Sequence, residues 1–156
     1  MDSSPARIVN NTIADNTGDG VFFQEAEGVA IVNNIVSGNL GHGIEHYSDT
    51  LWVSPTLAYT ADYNDVWSNS GGHYAGLGGG VHDLHVNPQF VGSGPDLRAF
   101  YHIQAPSPVS MTGSTAWAPE YDLDGDRRLW GGSVSMGADE IAIVERRIYL
   151  PIVLRQ

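Results

Sequence analysis

Short apolar runs alternate with asparagine- and glycine-rich turns along the first half of the chain. The stretch IVNNTIADN at positions 8–16 returns as IVNNIVSGN at positions 31–39, an offset of 23 residues. A looser copy, YNDVWSN at positions 63–69, follows its counterpart in the second at an offset of 30 residues. A fixed period of this size is typical of repeat architectures. We therefore predict three stacked units, with a loop inserted before the third.

Each unit is predicted to contain strands of three to five residues, such as positions 7–9, 21–24 and 29–32, separated by Gly, Asn and Asp turns. A unit of about 23 residues is too short for a pair of helices. It suits one coil of a solenoid of parallel strands, in which each coil covers the apolar edge of its neighbour. The predicted fold class is therefore all-β, a short solenoid with a closing segment and a β-prone tail.

The repeated asparagines predict ladders that run from coil to coil, because equivalent residues of a solenoid lie directly above one another. Asparagine amides can hydrogen-bond along such a column, and asparagine tolerates the left-handed backbone of a tight turn. The alternative is that these residues only mark exposed turns. The predicted ladder residues are Asn11, Asn34 and Asn64 in one column and Asn16, Asn39 and Asn69 in the other.

Four further motifs follow in the second half of the chain. They are NPQFV at 87–91, DLR at 96–98 followed by Ser107-Pro108, DLDGDRR at 122–128 and GSVSMGADE at 132–140. The repeats resemble coils of right-handed parallel β-helix proteins of the pectate-lyase-like class. The later motifs, in this order, resemble the carboxy-terminal part of bacterial exported β-helix proteins with a "choice-of-anchor" domain.

The resemblance implies a right-handed parallel β-helix with secreted or cell-surface placement. It implies no activity, since the fold hosts lyases, hydrolases, adhesins and structural modules. The predicted organisation is coils within residues 1–140, an inserted loop near 47–62, a closing segment at 87–140 and a tail at 141–156.

Composition narrows the classes of partner. The formal net charge is −11 and all seven basic residues are arginine, so nucleic acid is not an expected partner. There is no cysteine for disulfides or thiolate metal sites, and no apolar run is long enough to span a membrane. The opening MDSSPARIVNN has no signal-like apolar region, so either a leader was removed or the chain is a piece of a longer protein.

Two motifs could hold metal ions. Alternating carboxylates at Asp122, Asp124 and Asp126 suggest calcium, and no other cofactor is expected. The spacing departs from an EF-hand loop, and a structural turn whose carboxylates pair with Arg127 or Arg128 is the favoured interpretation. Zinc at His73, His82 and His85 is disfavoured because the flanking glycines and proline exclude a helix, so these are predicted to be turn or strand histidines.

Polysaccharide binding or cleavage is the alternative function. Trp52, Trp67 and Tyr74 could form a sugar-stacking platform, or else pack as a satellite core. No arginine lies between Arg7 and Arg98 to serve as a lyase base, and no catalytic residue is predicted. Hydrolysis would need acids among Asp19, Glu25, Glu27, Glu45, Asp49, Asp62, Asp65 and Asp83.

The favoured function is a non-catalytic extracellular module for self-assembly or surface attachment. Little chain precedes the first repeat, so we expect one end of the solenoid to be open. The β-prone tail could add a strand to the next molecule and build a filament, or fold back along its own coils. The expected partner is therefore a second copy, and the assembly residues are Ile148, Tyr149, Leu150, Pro151, Ile152, Val153 and Leu154.

Overall fold

A computed structural model describes residues 5–24, 28–49, 59–94, 96–128 and 132–141 of the chain. These residues form nine short strands and one four-residue helix. The strands are β1 Arg7–Val9, β2 Thr12–Ala14, β3 Val21–Gln24, β4 Ala30–Val32, β5 Ile35–Ser37, β6 His42–Tyr47, β7 Thr60–Asp62, β8 Asp65–Trp67 and β9 Gly72–Ala75, and the helix is α1 Leu97–Phe100.

The strands form three parallel sheets, with the orders β1-β4-β7, β2-β5-β8 and β3-β6-β9. Consecutive strands always belong to different sheets, so the chain passes through all three sheets in each coil. Ile8 pairs with Ile31, and Ile31 pairs with Ala61, so the pairing offsets are the 23 and 30 residues of the sequence repeat. The prediction of a nearly all-β fold with stacked parallel coils is confirmed.

The turns after the first and second strands of every coil share one conformation. Each has a residue with positive φ followed directly by an asparagine that belongs to a predicted ladder. The left-handed residue bends the chain within a single position. Asn, Asp and Gly adopt this left-handed conformation most readily. The six left-handed residues are Asn10, Asp15, Asn33, Gly38, Tyr63 and Ser68, with φ between 54° and 70°.

The interior of the coils is filled by branched apolar side chains from successive coils. Six buried residues form this core, namely Val21, Val29, Ile31, Val36, Ile44 and Val66. Burying each such side chain contributes about 1.5–3 kcal/mol. Because the side chains of one coil rest on those of the next, the interior fixes the vertical spacing of the stack.

A second apolar cluster lies on the outer face of the β2-β5-β8 sheet. Ile35 faces away from the core that contains its neighbour Val36, and it packs against Ile103, Val109 and Met136. The closing segment at 87–141 therefore covers this sheet. Its short helix α1 is capped by Asp96, whose Oδ1 accepts from Ala99 N at 2.9 Å.

The closing segment is fixed to the coils by the left-handed asparagines. Asn10 Nδ2 donates to Ser135 O at 3.0 Å. Asn33 Nδ2 donates to Ser114 O at 2.7 Å, and Asn33 Oδ1 accepts from Ser114 N at 2.8 Å. The first residue of each Asn-Asn pair thus bonds to the closing segment, although Asn33 Nδ2 also donates to Asn10 Oδ1 at 3.2 Å, and the second residue bonds along the stack.

The insertion predicted near 47–62 falls between β6 and β7. β6 ends at Tyr47 and β7 begins at Thr60. Within the interval, residues 48, 49 and 59 are described and residues 50–58 are not. The ring centroid of Tyr59 lies 6.4 Å from that of Phe23 and 6.1 Å from that of His46, so this end of the insertion rests beside the third sheet.

Candidate functional site

Two columns of asparagine side chains connect the coils at the predicted ladder positions. Asn11 donates from N and Nδ2 to Asn34 Oδ1 at 2.9 and 3.1 Å, and Asn34 donates in the same way to Asn64 Oδ1, twice at 3.0 Å. The second column repeats this geometry from Asn16 to Asn39 and from Asn39 to Asn69, at 2.8–3.0 Å.

Each column has a direction. Donors always belong to the earlier coil, and the accepting oxygen belongs to the later coil. The later amide also donates back to the earlier coil, as Asn34 Nδ2 does to Ile8 O at 2.8 Å. In the first coil, no residue that the structure describes donates to Oδ1 of Asn11 or Asn16, so both columns begin with an open acceptor.

The first coil is an edge in all three sheets. β1, β2 and β3 each pair on one side only among the described strands. Ile8 and Ile13 are half-buried, whereas their partners Ile31 and Val36 in the next coil are fully buried. This face, which we call the first-coil edge, therefore has backbone groups with no partner among the described strands, beside incompletely covered apolar side chains.

The opposite end of the stack is covered by the chain itself. Leu77 packs against the interior core. Leu84 forms a parallel bridge with Asp65, and its N donates to Asn64 O at 2.7 Å. Residues 77–86 thus cover the core and the β8 edge of the third coil, whereas β7 and β9 pair on one side only among the described strands.

Asp83 ends the first asparagine column. Its Oδ1 accepts from Asn64 N at 2.7 Å. Its Oδ2 accepts from Gly80 N at 2.8 Å and from the hydroxyl of Tyr74. An ionised carboxylate only accepts hydrogen bonds, so a column whose donors point toward it ends there without an unpaired N–H.

Asp65 is a buried carboxylate in β8, beside the chain at residues 84–86. It occupies the position that Thr12 and Ile35 hold in the earlier coils and is 0% exposed. Its Oδ1 accepts from Val86 N at 3.0 Å, while Oδ2 has no hydrogen-bond partner among the described residues. Burial raises the pKa of Asp65 to about 6, against the smaller effects of the Val86 bond and of His85.

Asp65→Asn is expected to stabilise the fold increasingly as pH rises. The folded-state pKa exceeds the unfolded value of 3.8, so the native state binds more protons between pH 4 and 6 and wild-type stability falls across that window. The variant lacks this loss and should gain about 2–3 kcal/mol over wild type at pH 7.5, and little at pH 4. Urea unfolding at both pH values measures the difference.

The control for that prediction is Asp62→Asn. Burial raises the pKa of Asp62, but hydrogen bonds from His82 and Tyr63 outweigh it and lower the pKa below its usual value. Asp62 therefore stabilises the fold above its unfolded pKa, and its replacement should cost stability at pH 7.5. Equal pH slopes for the wild type and Asp65→Asn would contradict the assignment to Asp65.

The acidic turn of the closing segment is a hydrogen-bonded turn in which the three carboxylates do not converge. Asp122 Oδ1 accepts from the backbone N of Asp124 and Asp126 at 2.9 and 2.8 Å, and its Oδ2 accepts from Glu140 N at 3.0 Å. Asp122, Asp124 and Asp126 do not form one of the metal-sized clusters of donor atoms in the described chain. The hydrogen bonds to Asp122 form the turn, and calcium binding at these residues stays a prediction.

The predicted partners of the acidic turn are corrected by the structure. Asp124 pairs with Arg98 Nε at 2.9 Å and His102 Nε2 at 2.8 Å. Arg127 lies 4.0 Å from Glu120, outside the acidic triplet. Arg128 is buried, with Nη2 donating to Ala138 O, so neither of the adjacent arginines forms the ion pairs expected from their position in the sequence.

Two of the three candidate zinc histidines stack on each other, and the third has other partners. His73 stacks on His85 with ring centroids 4.1 Å apart. His82 stacks on Tyr63 at 4.2 Å, and its Nδ1 lies 2.9 Å from Asp62 Oδ2. Stacked and paired rings of this kind account for the histidines as structural residues.

The structure describes two of the three residues of the candidate sugar platform, Trp67 and Tyr74. Trp52 lies outside the described residues. Trp67 is half-buried in β8, and Tyr74 packs against the interior core with its hydroxyl on Asp83. The exposed aromatic side chains of the coils are instead Phe22 and Tyr47, which are about half exposed.

The remaining candidates divide between described and undescribed parts of the chain. The assembly residues 148–154 lie outside the described residues, as do Glu25 and Glu27 among the candidate acids. The carboxylates of Asp19 and Glu45 lie near His42. Asp62, Asp65 and Asp83 are each held in the structural contacts given above.

Comparison with known proteins gives the family. The profile described as "Right handed beta helix region" matches residues 1–85, which is more than half of the 156 residues. The chain therefore belongs to the right-handed β-helix family. Searches of curated proteins and of solved structures returned no match.

The match covers the three coils and the bridge that closes them. The described residues contain no helix long and apolar enough to cross a membrane.

Proposed function

We propose that this chain is a non-catalytic structural module of an exported protein, and that it self-assembles by accepting an added β-strand on its first-coil edge. The observation that carries the proposal is the difference between the two ends of the stack. β1, β2 and β3 have no described strand partner on one side, whereas at the other end Leu77 covers the core and Leu84 bridges to β8, although β7 and β9 also pair on one side only. An added strand would pair the open backbone groups and cover Ile8 and Ile13.

The added strand is assigned to the tail of a second copy. The sequence IYLPIVL at 148–154 is strongly β-prone, and Pro151, which has no N–H, suits a strand with one free edge. Arg146 and Arg147 precede it, and the chain carries a formal net charge of −11. Attraction between the two arginines and an acidic neighbour favours an intermolecular contact.

Such a contact is heterologous, because it joins the first coil of one copy to the tail of another. A heterologous contact builds a ring when its rotation closes and a filament when it does not. Direct end-to-end stacking of coils is less favoured in the first column, since Asp83, which ends that column, offers no side-chain donor to Asn11 Oδ1. We therefore assign the role of connector to the tail.

Placement at the bacterial cell surface or outside the cell is part of the same proposal. It is supported by the motifs at 87–91, 96–98, 122–128 and 132–140, which resemble the carboxy-terminal region of exported "choice-of-anchor" proteins. A module that carries attachment or assembly needs no catalytic site, in keeping with the structural roles of Asp62, Asp65 and Asp83.

Assembly is tested by sedimentation velocity and negative-stain electron microscopy at several protein concentrations. The full chain should form rings or filaments whose amount rises with concentration, and removal of residues 148–156 should leave monomers. Ile152→Asp should act like the deletion, whereas Gln156→Asp, which adds the same charge at the last position, should assemble normally. Monomers at every concentration for the full chain would refute the proposal.

Glycan binding remains the competing function, and the same protein preparations separate it. A monomer that is retarded in a polysaccharide-containing gel, with the retardation weakened by Trp67→Ala, would favour glycan binding. The half-buried position of Trp67 and the bound hydroxyl of Tyr74 give this function less support.

A further inference from the structure

A cluster of two carboxylates and one imidazole lies on the surface between the first two coils. His42 Nδ1 is 3.2 Å from Glu45 Oε2 and 3.7 Å from Asp19 Oδ1. One donor atom from each of the three residues lies within 4.8 Å of the others. Asp19 belongs to the turn before β3, and His42 and Glu45 belong to β6, so the cluster joins two coils.

The stacking register builds this cluster and leaves it open. Asp19 precedes His42 by the 23-residue coil offset, and its Oδ1 accepts from His42 N at 2.6 Å, which holds the carboxylate in place. The next coil places Gly72 opposite His42. Gly72 has no side chain to cover the imidazole, and the His42 side chain is 35% exposed.

The charges of the cluster are not balanced by other described residues. A neutral imidazole carries one N–H proton, so Nδ1 can donate to only one of the two carboxylates. Asp19 and Glu45 have ion pairs with His42 alone in the described chain. By contrast, Asp124 in the cluster with His102 and Asp139 is already paired with Arg98 at 2.9 Å. The first cluster therefore suits an added cation and the second does not.

We propose that Asp19, His42 and Glu45 bind a divalent transition-metal ion of the zinc type. One imidazole nitrogen with two carboxylate oxygens is a donor set for such ions, whereas Ca²⁺ and Mg²⁺ favour oxygen donors alone. Three protein ligands leave further coordination positions for water on the open side. The ion ties the first coil to the second, and this inference stands whether or not the tail assembles.

The test is isothermal titration calorimetry of ZnCl2 into the untagged protein, with CaCl2 as the comparison. One Zn²⁺ should bind per chain, and its Kd should rise at least tenfold in His42→Asn and in Glu45→Gln. The control is His82→Asn, since His82 lies 2.9 Å from the single carboxylate of Asp62 and should leave the Kd unchanged. A matched measurement of Tm should show a rise with Zn²⁺ in the wild type and in His82→Asn only.

Three results of the titration would overturn the proposed zinc site. No saturable zinc binding, or the same Kd in the wild type and in both His42→Asn and Glu45→Gln, would overturn the site. Loss of binding in His82→Asn alone would move the metal to another histidine and also overturn it. Circular dichroism of each variant establishes that the fold is retained, and Glu45→Gln changes only a partly exposed side chain.

Discussion

Asn34→Ala is expected to lower the free energy of unfolding by about 3–5 kcal/mol, a loss at the upper end of those caused by single substitutions. Asn34 is 0% exposed. Its oxygen accepts two bonds from Asn11, and its amide donates to Asn64 Oδ1 and to Ile8 O. The shorter side chain removes these bonds, which leaves Asn64 Oδ1 with the bond from Asn34 N alone and Ile8 O without this donor, and each buried unpaired group costs about 1–3 kcal/mol.

The control is Asn11→Ala in the same column. Asn11 is exposed at the first-coil edge, so water replaces its lost bonds and a loss of about 1 kcal/mol is expected. Chemical denaturation of both variants gives the comparison. Similar losses for the two would show that the column does not derive its stability from burial between coils.

Gly43→Ala is the second substitution with a large expected effect, about 2–4 kcal/mol of lost stability. An added Cβ would lie 2.3 Å from Val66 Cγ1 and 2.7 Å from the backbone oxygen of His73. Backbone of the next coil cannot move away without breaking the β6–β9 pairing. Overpacking of this kind strains a close-packed interior.

Gly18→Ala provides the matched control for that clash. A Cβ at Gly18 meets nothing within 4 Å, and the change should alter stability by about 0.5 kcal/mol or less. Thermal unfolding of the two variants checks the prediction. A Gly43→Ala protein as stable as Gly18→Ala would mean that the coils are spaced more widely than described.

The repeat in the sequence predicted the coil register and the ladder positions because both depend on a constant offset. Asn11 and Asn34 keep that offset, so their contact could be inferred from position alone. The identical neighbours Asn10 and Asn33 could not be assigned a direction. Their positive φ angles turn them outward, and a repeat pattern contains no information about φ.

Asp83 was missed as the end of the first column for a related reason. It follows Asn64 by 19 residues, not 23 or 30, and it changes the residue type. In the sequence it was one of eight scattered acids. The bridge between Leu84 and Asp65, seen only in the structure, brings the chain back beside the end of the first column.

Contacts of the closing segment depend on sequence-distant residues and could not be predicted from local pattern. Arg127 and Arg128 adjoin the acidic turn in sequence, yet Asp124 pairs with Arg98 and His102. In this turn the backbone N–H groups of Asp124 and Asp126 donate to Asp122. The side chain of Asp124 faces α1 instead. The environment of Asp65 likewise depends on residues distant in sequence, since Leu84 bridges to it and Val86 N donates to its Oδ1.

The most direct test of the proposed assembly uses disulfide trapping, because the chain contains no cysteine. One protein carries Ala14→Cys in the edge strand β2. The other carries a single cysteine placed in turn at each position from 148 to 154. We predict that mixing and oxidation give a disulfide-linked heterodimer for a subset of these tail positions.

The control partner is Val81→Cys, which is 91% exposed at the covered end of the stack. It should form little heterodimer with any tail variant. Absence of a heterodimer with Ala14→Cys across the whole tail series, or equal trapping at positions 14 and 81, would contradict the account.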